Sequence, residues 1–143
     1  MAWNRSNIVR VKNISGTTIP AKSFAKISEA QFGEYSLNYN SFDVVRPDED
    51  NMEAAKLLFV PQSLADDDIG LAFIDGFFWV TKTTGETIVA GDKVGTDANE
   101  FTAIKIDDDT YGNNDGQFLV LGVDGDDLLV RPRVRESAIW SAP

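Results

Sequence analysis

Residues 117–134, with the sequence QFLVLGVDGDDLLVRPRV, decide the fold class of this protein. Two runs rich in Leu and Val flank Asp124-Gly125-Asp126-Asp127. Branched side chains suit the pleated surface of a sheet, and Asp-Gly between two such runs is a strong turn signal. The segment therefore predicts a β-hairpin.

Most of the chain outside this hairpin repeats the pattern of short apolar runs ended by Gly or Pro. Residues 70–82 form a longer run around Asp75-Gly76, which is either a hairpin turn or a bulge within one long strand. Residues 48–56 are the only helix candidate, since their acidic side chains suit a helix N-terminus. Short strands punctuated in this way predict an all-β fold, a small β-barrel or β-sandwich. Further strands are predicted at residues 8–14, 23–27, 42–46, 57–60 and 101–106.

The sequence predicts one domain, because 143 residues can bury a single core and no linker divides the chain. The expected organisation is an extended N-terminal arm at 1–7, a single β domain at 8–135 and a C-terminal tail at 136–143. Strand signals are weaker in the N-terminal third than elsewhere, so this third could be an arm rather than part of the core.

The composition argues against several kinds of chemistry. The chain has no cysteine and no histidine, which removes thiol nucleophiles, Cys-based zinc sites and His-dependent triads. It also contains no nucleophile-elbow or phosphate-loop motif. No apolar run approaches the roughly 20 residues of a membrane helix, and residues 1–13 lack the apolar segment of a secretory signal. We therefore expect a protein made in the cytoplasm that is not an enzyme, needs no cofactor and binds no membrane.

Clusters of aspartate at residues 66–68, 107–109 and 124–127 raise the question of a metal site. A calcium loop starting at Asp107 would place Tyr111 and Phe118 where oxygen ligands belong, so that motif fails. We interpret the clusters as solvated turn residues and predict no metal site, the alternative being adventitious Ca²⁺ binding. A pair of carboxylates acting as in glycoside hydrolases has no supporting motif.

Charge is distributed unevenly along the chain, whose net charge is −10. Residues 1–28 carry five basic side chains and no acidic one, whereas residues 29–127 carry 22 acidic against five basic side chains. The acidic body would be repelled by nucleic acid, which is therefore not an expected partner. The basic ends either bind an acidic partner surface or lie against the chain's own acidic middle.

Three arginines near the C-terminus alternate along a predicted strand. Arg131, Arg133 and Arg135 would therefore share one face. Pro132 lacks a backbone donor, which suggests an edge strand or a tail that leaves the sheet. The arginine row is either a binding face or a solvated face that protects the edge against aggregation.

Two of the three tryptophans lie near the ends of the chain. Because tryptophan is enriched at binding hot spots, Trp3 and Trp140 could anchor a partner, or each could fold back over the core. Trp79 lies within an apolar run, Phe77 to Val80, and is predicted to be core. The candidate interface residues are Trp3, Arg5, Arg10, Lys12, Arg131, Arg133, Arg135 and Trp140.

Two stretches resemble bacteriophage capsid decoration (cement) proteins. Residues 87–94, TIVAGDKV, are similar to a turn of that family that precedes a β run and a closing hairpin. Residues 9–20, VRVKNISGTTIP, resemble a sequence pattern common in phage structural proteins: a strand, Asn-x-Ser-Gly, then a short apolar residue and Pro. Residues 28–53 and the tail after Arg135 match no part of the family pattern.

The resemblance implies a β-barrel or β-sandwich that caps symmetry points or seams of an icosahedral phage head. Such a protein stabilises the shell by bridging neighbouring subunits, often as a homotrimer. The implied partners are the major capsid protein and further copies of the same chain, and the implied location is the outer surface of the virion.

Two other classes of function fit the same composition. A phage tail, baseplate or fibre-base protein would share the β architecture and the lack of catalytic groups. A carbohydrate-binding β-sandwich would use exposed aromatic side chains as a stacking platform, for which the candidates are Trp3, Tyr35, Tyr39 and Trp140.

Overall fold

In the computed structural model, the described residues are 8–28, 41–106 and 118–132. They form ten strands and a single turn of 3-10 helix at Ala54–Lys56, which confirms the predicted all-β class. That turn is too short to cross a bilayer, and nothing else in the described ranges forms a helix able to do so. The strands in chain order are β1 (Ile8–Asn13), β2 (Ser23–Ile27), β3 (Ser41–Val45), β4 (Leu57–Val60), β5 (Ile69–Phe73), β6 (Phe78–Thr81), β7 (Lys93–Thr96), β8 (Ala103–Lys105), β9 (Phe118–Asp124) and β10 (Asp127–Pro132).

The first five strands close into a barrel in the order β1-β3-β2-β4-β5. β1 completes the closure, because it pairs with β3 in parallel and with β5 in antiparallel orientation. In this register Arg10 lies between Ser41 on one side and Leu71 on the other. Closure leaves the barrel without an open edge at β1.

The last five strands form an open sheet in the order β6-β10-β9-β7-β8. The hairpin predicted at residues 117–134 is confirmed as β9 and β10, joined by Gly125-Asp126. Gly125 has a φ of 63°, a left-handed value that glycine adopts at little cost. The register shifts between Leu129 and Val130, so Leu121 on β9 is an extra residue in a bulge.

Strands β2 and β4 are buried on both faces, since they lie between the barrel interior and the open sheet. All four residues of β4 are buried: Leu58 and Val60 pack inside the barrel, while Leu57 and Phe59 pack towards the open sheet. Such a strand reads as a continuous apolar run without alternation. The barrel and the sheet therefore share one layer of core side chains.

Aromatic rings fill the junction between the two sheets. Phe59 of the barrel stacks on Phe78 of β6 with ring centroids 3.9 Å apart. Its edge meets Phe118 of β9 at a centroid distance of 5.3 Å. The ring of Phe24 on β2 contacts both Phe59 and Phe118, with centroid distances of 5.3 and 5.2 Å. The junction is consequently a hydrophobic core rather than a loose contact.

The prediction for residues 70–82 was wrong in both of its forms. The two strands of this run, β5 and β6, lie in different sheets, so Asp75-Gly76 is the crossing from the barrel to the open sheet. The Oδ1 of Asp75 accepts a hydrogen bond from the Gly76 amide at 2.8 Å, and Gly76 has a φ of 111°. A crossing needs the same turn chemistry as a hairpin, which is why the sequence does not separate them.

The N-terminal third is part of the core, contrary to the expectation of an arm. Val11, Ile19 and Phe24 have no solvent-exposed surface. Buried Asn13 ties this region together, because its Nδ2 donates to the carbonyls of Thr17 and Leu64 at 2.8 and 2.9 Å. Its strands are short and β2 is buried on both faces, so the alternation that marks a strand in the sequence is weak there. The proposed arm at 1–7 and tail at 136–143 lie outside the described residues.

The helix candidate at residues 48–56 forms only the 3-10 turn at its end. Asn51 has a φ of 51°, which a right-handed helix does not allow. Thr96 of β7 instead holds this segment, since its Oγ1 accepts the Met52 amide and its carbonyl accepts the Asn51 amide. The acidic residues at the start of this segment therefore lie in a loop rather than at a helix N-terminus.

Candidate interaction surface

One side of the barrel carries exposed side chains from two neighbouring strands. Along β1 the side chains alternate, so Val11 is buried and the residues on either side of it are exposed. The antiparallel register brings Arg10 beside Leu71 and Lys12 beside Ile69. We call this surface the β1–β5 face, defined by Ile8, Arg10, Lys12, Ile69 and Leu71.

The aliphatic side chains of this face are unusually exposed. Ile69 and Leu71 each keep 61% of their surface in contact with solvent, and Ile8 keeps 44%. A single exposed aliphatic side chain is ordinary, but adjacent ones mark a surface suited to a partner. Fully burying one such side chain contributes about 1.5–3 kcal/mol. The face can thus supply binding energy through contact alone.

The cations of this face are available to a partner. Within the described ranges, neither Arg10 nor Lys12 forms an ion pair with an acidic residue of its own chain. Both were predicted to be interface residues, and the structure brings them together on one face. Arginine and lysine beside apolar groups suit a partner surface with acidic side chains around an apolar centre.

Sequence reasoning missed Ile69 and Leu71, although a signal was present. In the run Ile69-Gly-Leu-Ala-Phe73 the small residues alternate with the large ones, and the small ones face the barrel interior. A Cβ on Gly70 would lie 2.9 Å from Cδ1 of Leu64. The interior therefore admits only small side chains from β5 and turns the large ones outward.

The outer face of the open sheet is the second exposed surface, and Trp79 lies on it. Trp79 is 41% exposed, so the prediction that it is core was wrong. Its neighbours Phe78 and Val80 point inward and are buried, and alternation along β6 turns Trp79 outward. Its register partner on β10 is Leu129, and the next outward residue of that strand is Arg131.

Arg131 and Pro132 lie where β10 loses one of its neighbours. β10 is an inner strand of the sheet, so the edge-strand prediction was wrong for most of its length. Its pairing with β6 ends at Val130, however, and beyond that point only β9 continues alongside. Pro132 thus stands where no partner strand requires its amide hydrogen. Arg131 is exposed at this end of the sheet.

Five of the predicted interface residues cannot be placed on either surface. Trp3, Arg5, Arg133, Arg135 and Trp140 lie outside the described residues. Tyr35 and Tyr39 of the carbohydrate-binding alternative also lie there. Their assigned roles remain predictions.

An aromatic cleft opens between the barrel and β6, with a volume of about 190 Å³. Phe77 stands at its rim and is 66% exposed, the highest value among the exposed large apolar side chains of the described residues. The cleft is therefore an apolar depression with a solvent-facing aromatic border. Its lining residues are Lys22, Phe59, Val60, Pro61, Phe73, Phe77, Phe78 and Trp79.

Two basic residues of the N-terminal region pair with the acidic middle of the chain. The Nζ of Lys22 lies 2.6 Å from Oδ2 of Asp127, and the buried Lys26 side chain donates to both carboxylate oxygens of Asp48 at 3.1 Å. The charge asymmetry is thus partly satisfied within the molecule. The partly exposed Lys22–Asp127 pair contributes little to stability, about 0–1 kcal/mol.

The aspartate clusters hold turns where the structure describes them. Oδ1 of Asp66 accepts the Gly16 amide at 2.9 Å, and Asp127 accepts the Thr81 hydroxyl as well as Lys22. No group of three or more acidic side chains within the described ranges could hold a metal ion. The cluster at 107–109 lies outside those ranges.

Comparison with known proteins reveals a likeness of fold. No protein-family model matches the sequence, and no curated protein matches it significantly. A solved structure does: the N base of head fiber gp8.5 of bacteriophage phi29 superimposes with a TM-score of 0.58. The two chains share a fold. Their identity is 12%, and the match covers 88% of this chain and 94% of the head fiber chain.

The extent of the match matters as much as its score. A match over 88% of this chain is too long to be confined to the barrel or to the open sheet alone. The head fiber base therefore shares the combination of both sheets. At 12% identity this similarity concerns the architecture and transfers no individual residue role.

Proposed function

We propose that this protein is a structural component of a bacteriophage virion, a decoration protein that binds the outside of the head and bridges neighbouring capsid subunits. The observation that carries the proposal is the shared fold with a head fiber base over 88% of the chain. The family resemblance of residues 9–20 and 87–94 to capsid decoration proteins supports the same location. The partners in this proposal are the major capsid protein and further copies of the chain, assembled as a homotrimer.

The β1–β5 face is the surface that we assign to the shell. It combines aliphatic side chains that gain free energy on burial with Arg10 and Lys12, which give direction to the contact. Such a contact is modest for one copy. Copies that also touch one another on a repeating lattice gain from multivalency, so a modest contact is enough to hold the whole layer.

The acidic remainder of the molecule suits an outward position. The chain has a net charge of −10, while Arg10 and Lys12 place two cationic side chains on the β1–β5 face. Cations on one face of an acidic molecule favour an approach to an acidic surface with that face first. The outward acidic surface keeps a decorated particle soluble and repels free nucleic acid.

A second candidate function, the base of a head fiber, is favoured by the description of the similar solved structure. This function requires the same attachment to the head, but the surface that faces away from the head would bind another protein. In a fiber base that surface carries further protein, and the exposed outer face of the open sheet, with Trp79, Leu129 and Arg131, is the described surface suited to that role.

Mixing purified protein with undecorated phage heads, followed by sedimentation, tests the proposal. We expect the protein to pellet with the heads to a saturating ratio set by the lattice, and to remain in solution without them. The protein staying in the supernatant with heads that lack their decoration layer would contradict the proposal. Images of complete virions separate the two candidates, because a fiber base carries further density outside its own fold whereas a decoration protein does not.

A further inference from the structure

The open sheet has two edge strands, β6 and β8, which the described part of the chain covers to different extents. On β8 the carbonyl of Ala103 accepts a hydrogen bond from the Thr83 amide at 2.8 Å. The Lys105 amide of the same strand donates to Oε1 of Glu86 at 2.8 Å. Covering an edge in this way protects it against pairing with another chain. β8 is therefore closed to an added strand.

The edge of β6 is covered within the described ranges only near its end. The Thr81 amide donates to the carbonyl of Lys22 at 2.9 Å, and so points away from β10. Backbone groups two residues apart in a strand point the same way, so the amide and carbonyl of Trp79 also point away from β10. Among the described residues, neither of these two groups has a hydrogen-bond partner. β6 therefore offers a donor and an acceptor to an extended polypeptide.

The aromatic cleft lies beside these backbone groups. Its walls come from Phe77, Phe78 and Trp79 on the side of β6, and from barrel residues that include Phe59 and Phe73. Phe77 is 66% exposed, so covering its ring gains free energy. The volume of about 190 Å³ exceeds the roughly 150 Å³ of an apolar cavity that binds benzene. A strand added to β6 can thus place one large apolar side chain in the cleft.

The barrel side of the cleft decides which kind of strand can reach β6. Because barrel residues line the cleft together with β6, this edge faces a wall rather than open solvent. A second copy would bring an edge strand with its own sheet and barrel behind it, which need far more room than about 190 Å³. A single extended segment, with no sheet of its own, fits beside the wall.

We propose that the aromatic cleft and the β6 edge together bind an extended peptide segment of another protein. The segment pairs its backbone with Trp79 and inserts one large apolar side chain beside Phe77. Main-chain hydrogen bonds give affinity in such a complex, and the pocket for a side chain gives specificity. No residue of the β1–β5 face lines the cleft, so this site is independent of the proposed attachment to the head.

Selection from a random library of heptapeptides on the immobilised full chain tests the proposal. We expect the selected peptides to share a large apolar residue at one position and to lack proline beside it, because proline has no amide hydrogen for the edge. Phe77→Ala should weaken a selected peptide about tenfold, since it removes an exposed wall residue without disturbing the core. The matched control Val89→Ala, at a position 58% exposed outside the cleft, should leave the affinity unchanged.

Two further measurements separate strand pairing from simple burial of a side chain. A selected peptide with all its amides N-methylated keeps its side chains but has no backbone donors, and it should not bind. In the unmodified chain, exchange of the Trp79 amide hydrogen with solvent should slow when the selected peptide is bound. This second readout does not depend on how any variant folds.

Three results would overturn the proposal. The first is a library that yields no peptide whose binding Phe77→Ala weakens. The second is full binding by the N-methylated peptide, since the cleft would then take a side chain without an added strand. The third is peptide binding that appears only after an end of the chain is deleted, or only on dilution, because the chain itself or a second copy would then be the occupant.

Discussion

Phe59 and Phe78 stack face to face across the junction of the two sheets, with their ring planes inclined by only 9°. One belongs to the closed barrel and the other to the edge strand of the open sheet. The barrel has a buried cluster inside it, but the inner face of the open sheet is buried against barrel residues such as Phe24 and Phe59. The two sheets should therefore unfold together.

Replacing Phe59 tests this coupling. Phe59→Ala removes a ring that contacts three others, and deletions of buried aromatic side chains cost about 3–5 kcal/mol. We expect the free energy of unfolding in urea to fall by that amount in one transition, seen equally by fluorescence and circular dichroism. Val89→Ala, at an exposed position, should change it by less than about 0.5 kcal/mol. Two separate transitions in the wild type would show that the sheets are independent.

Gly95 provides a test of close packing between β7 and the loop before β4. A Cβ at this position would lie 2.7 Å from Oδ1 of Asn51 and 3.0 Å from its Cα. Because a backbone atom is involved, Gly95→Ala should destabilise the fold by about 1–3 kcal/mol. Gly122→Ala is the matched control, since a Cβ there meets nothing within 4 Å. Equal unfolding midpoints for the two variants would contradict this packing.

The aliphatic part of the β1–β5 face should control affinity for the head. Leu71→Ser leaves the core intact because the side chain is 61% exposed, yet it removes a group that the proposed contact buries. We expect the dissociation constant for undecorated heads to rise about tenfold, equivalent to about 1.4 kcal/mol. Val89→Ser, at a position 58% exposed on another surface, should bind like the wild type. Equal losses for both variants would mean that the contact lies elsewhere.

The cationic part of the face should control the rate and the salt dependence of attachment. Arg10→Glu reverses a charge that is not engaged within the described part of the chain, so it should slow association and flatten its dependence on ionic strength. Lys56→Glu makes the same change in net charge at a partly exposed position outside this face. Stopped-flow mixing with heads at several salt concentrations measures both. Equal association rates and equal salt dependence for the two variants would mean that net charge alone, and not the position of Arg10, sets the rate.

Local strand structure could be predicted because its signals are local. The hairpin of β9 and β10 follows from Asp124-Gly125 between two apolar runs, and β2 and β4 have the bounds that their sequences indicate. The exposure of Arg10 and Lys12 follows from alternation along β1. In each case the neighbouring residues alone determine the outcome.

The arrangement of the strands could not be predicted, because it depends on contacts distant in sequence. Closure of the barrel by the parallel pair of β1 and β3 leaves no mark in either strand. The crossing at Asp75-Gly76 has the composition of a hairpin turn. Trp79 is preceded by two phenylalanines, and only the burial of Phe78 and Val80 in the fold shows which side of the sheet it occupies.

A density map of saturated phage heads, obtained by electron cryo-microscopy, would show directly which surface of the protein contacts the shell. We expect each bound copy to turn its β1–β5 face to the shell, with Ile69 and Leu71 buried against the capsid protein. A map in which those two side chains face solvent, with another surface on the shell, would contradict this expectation.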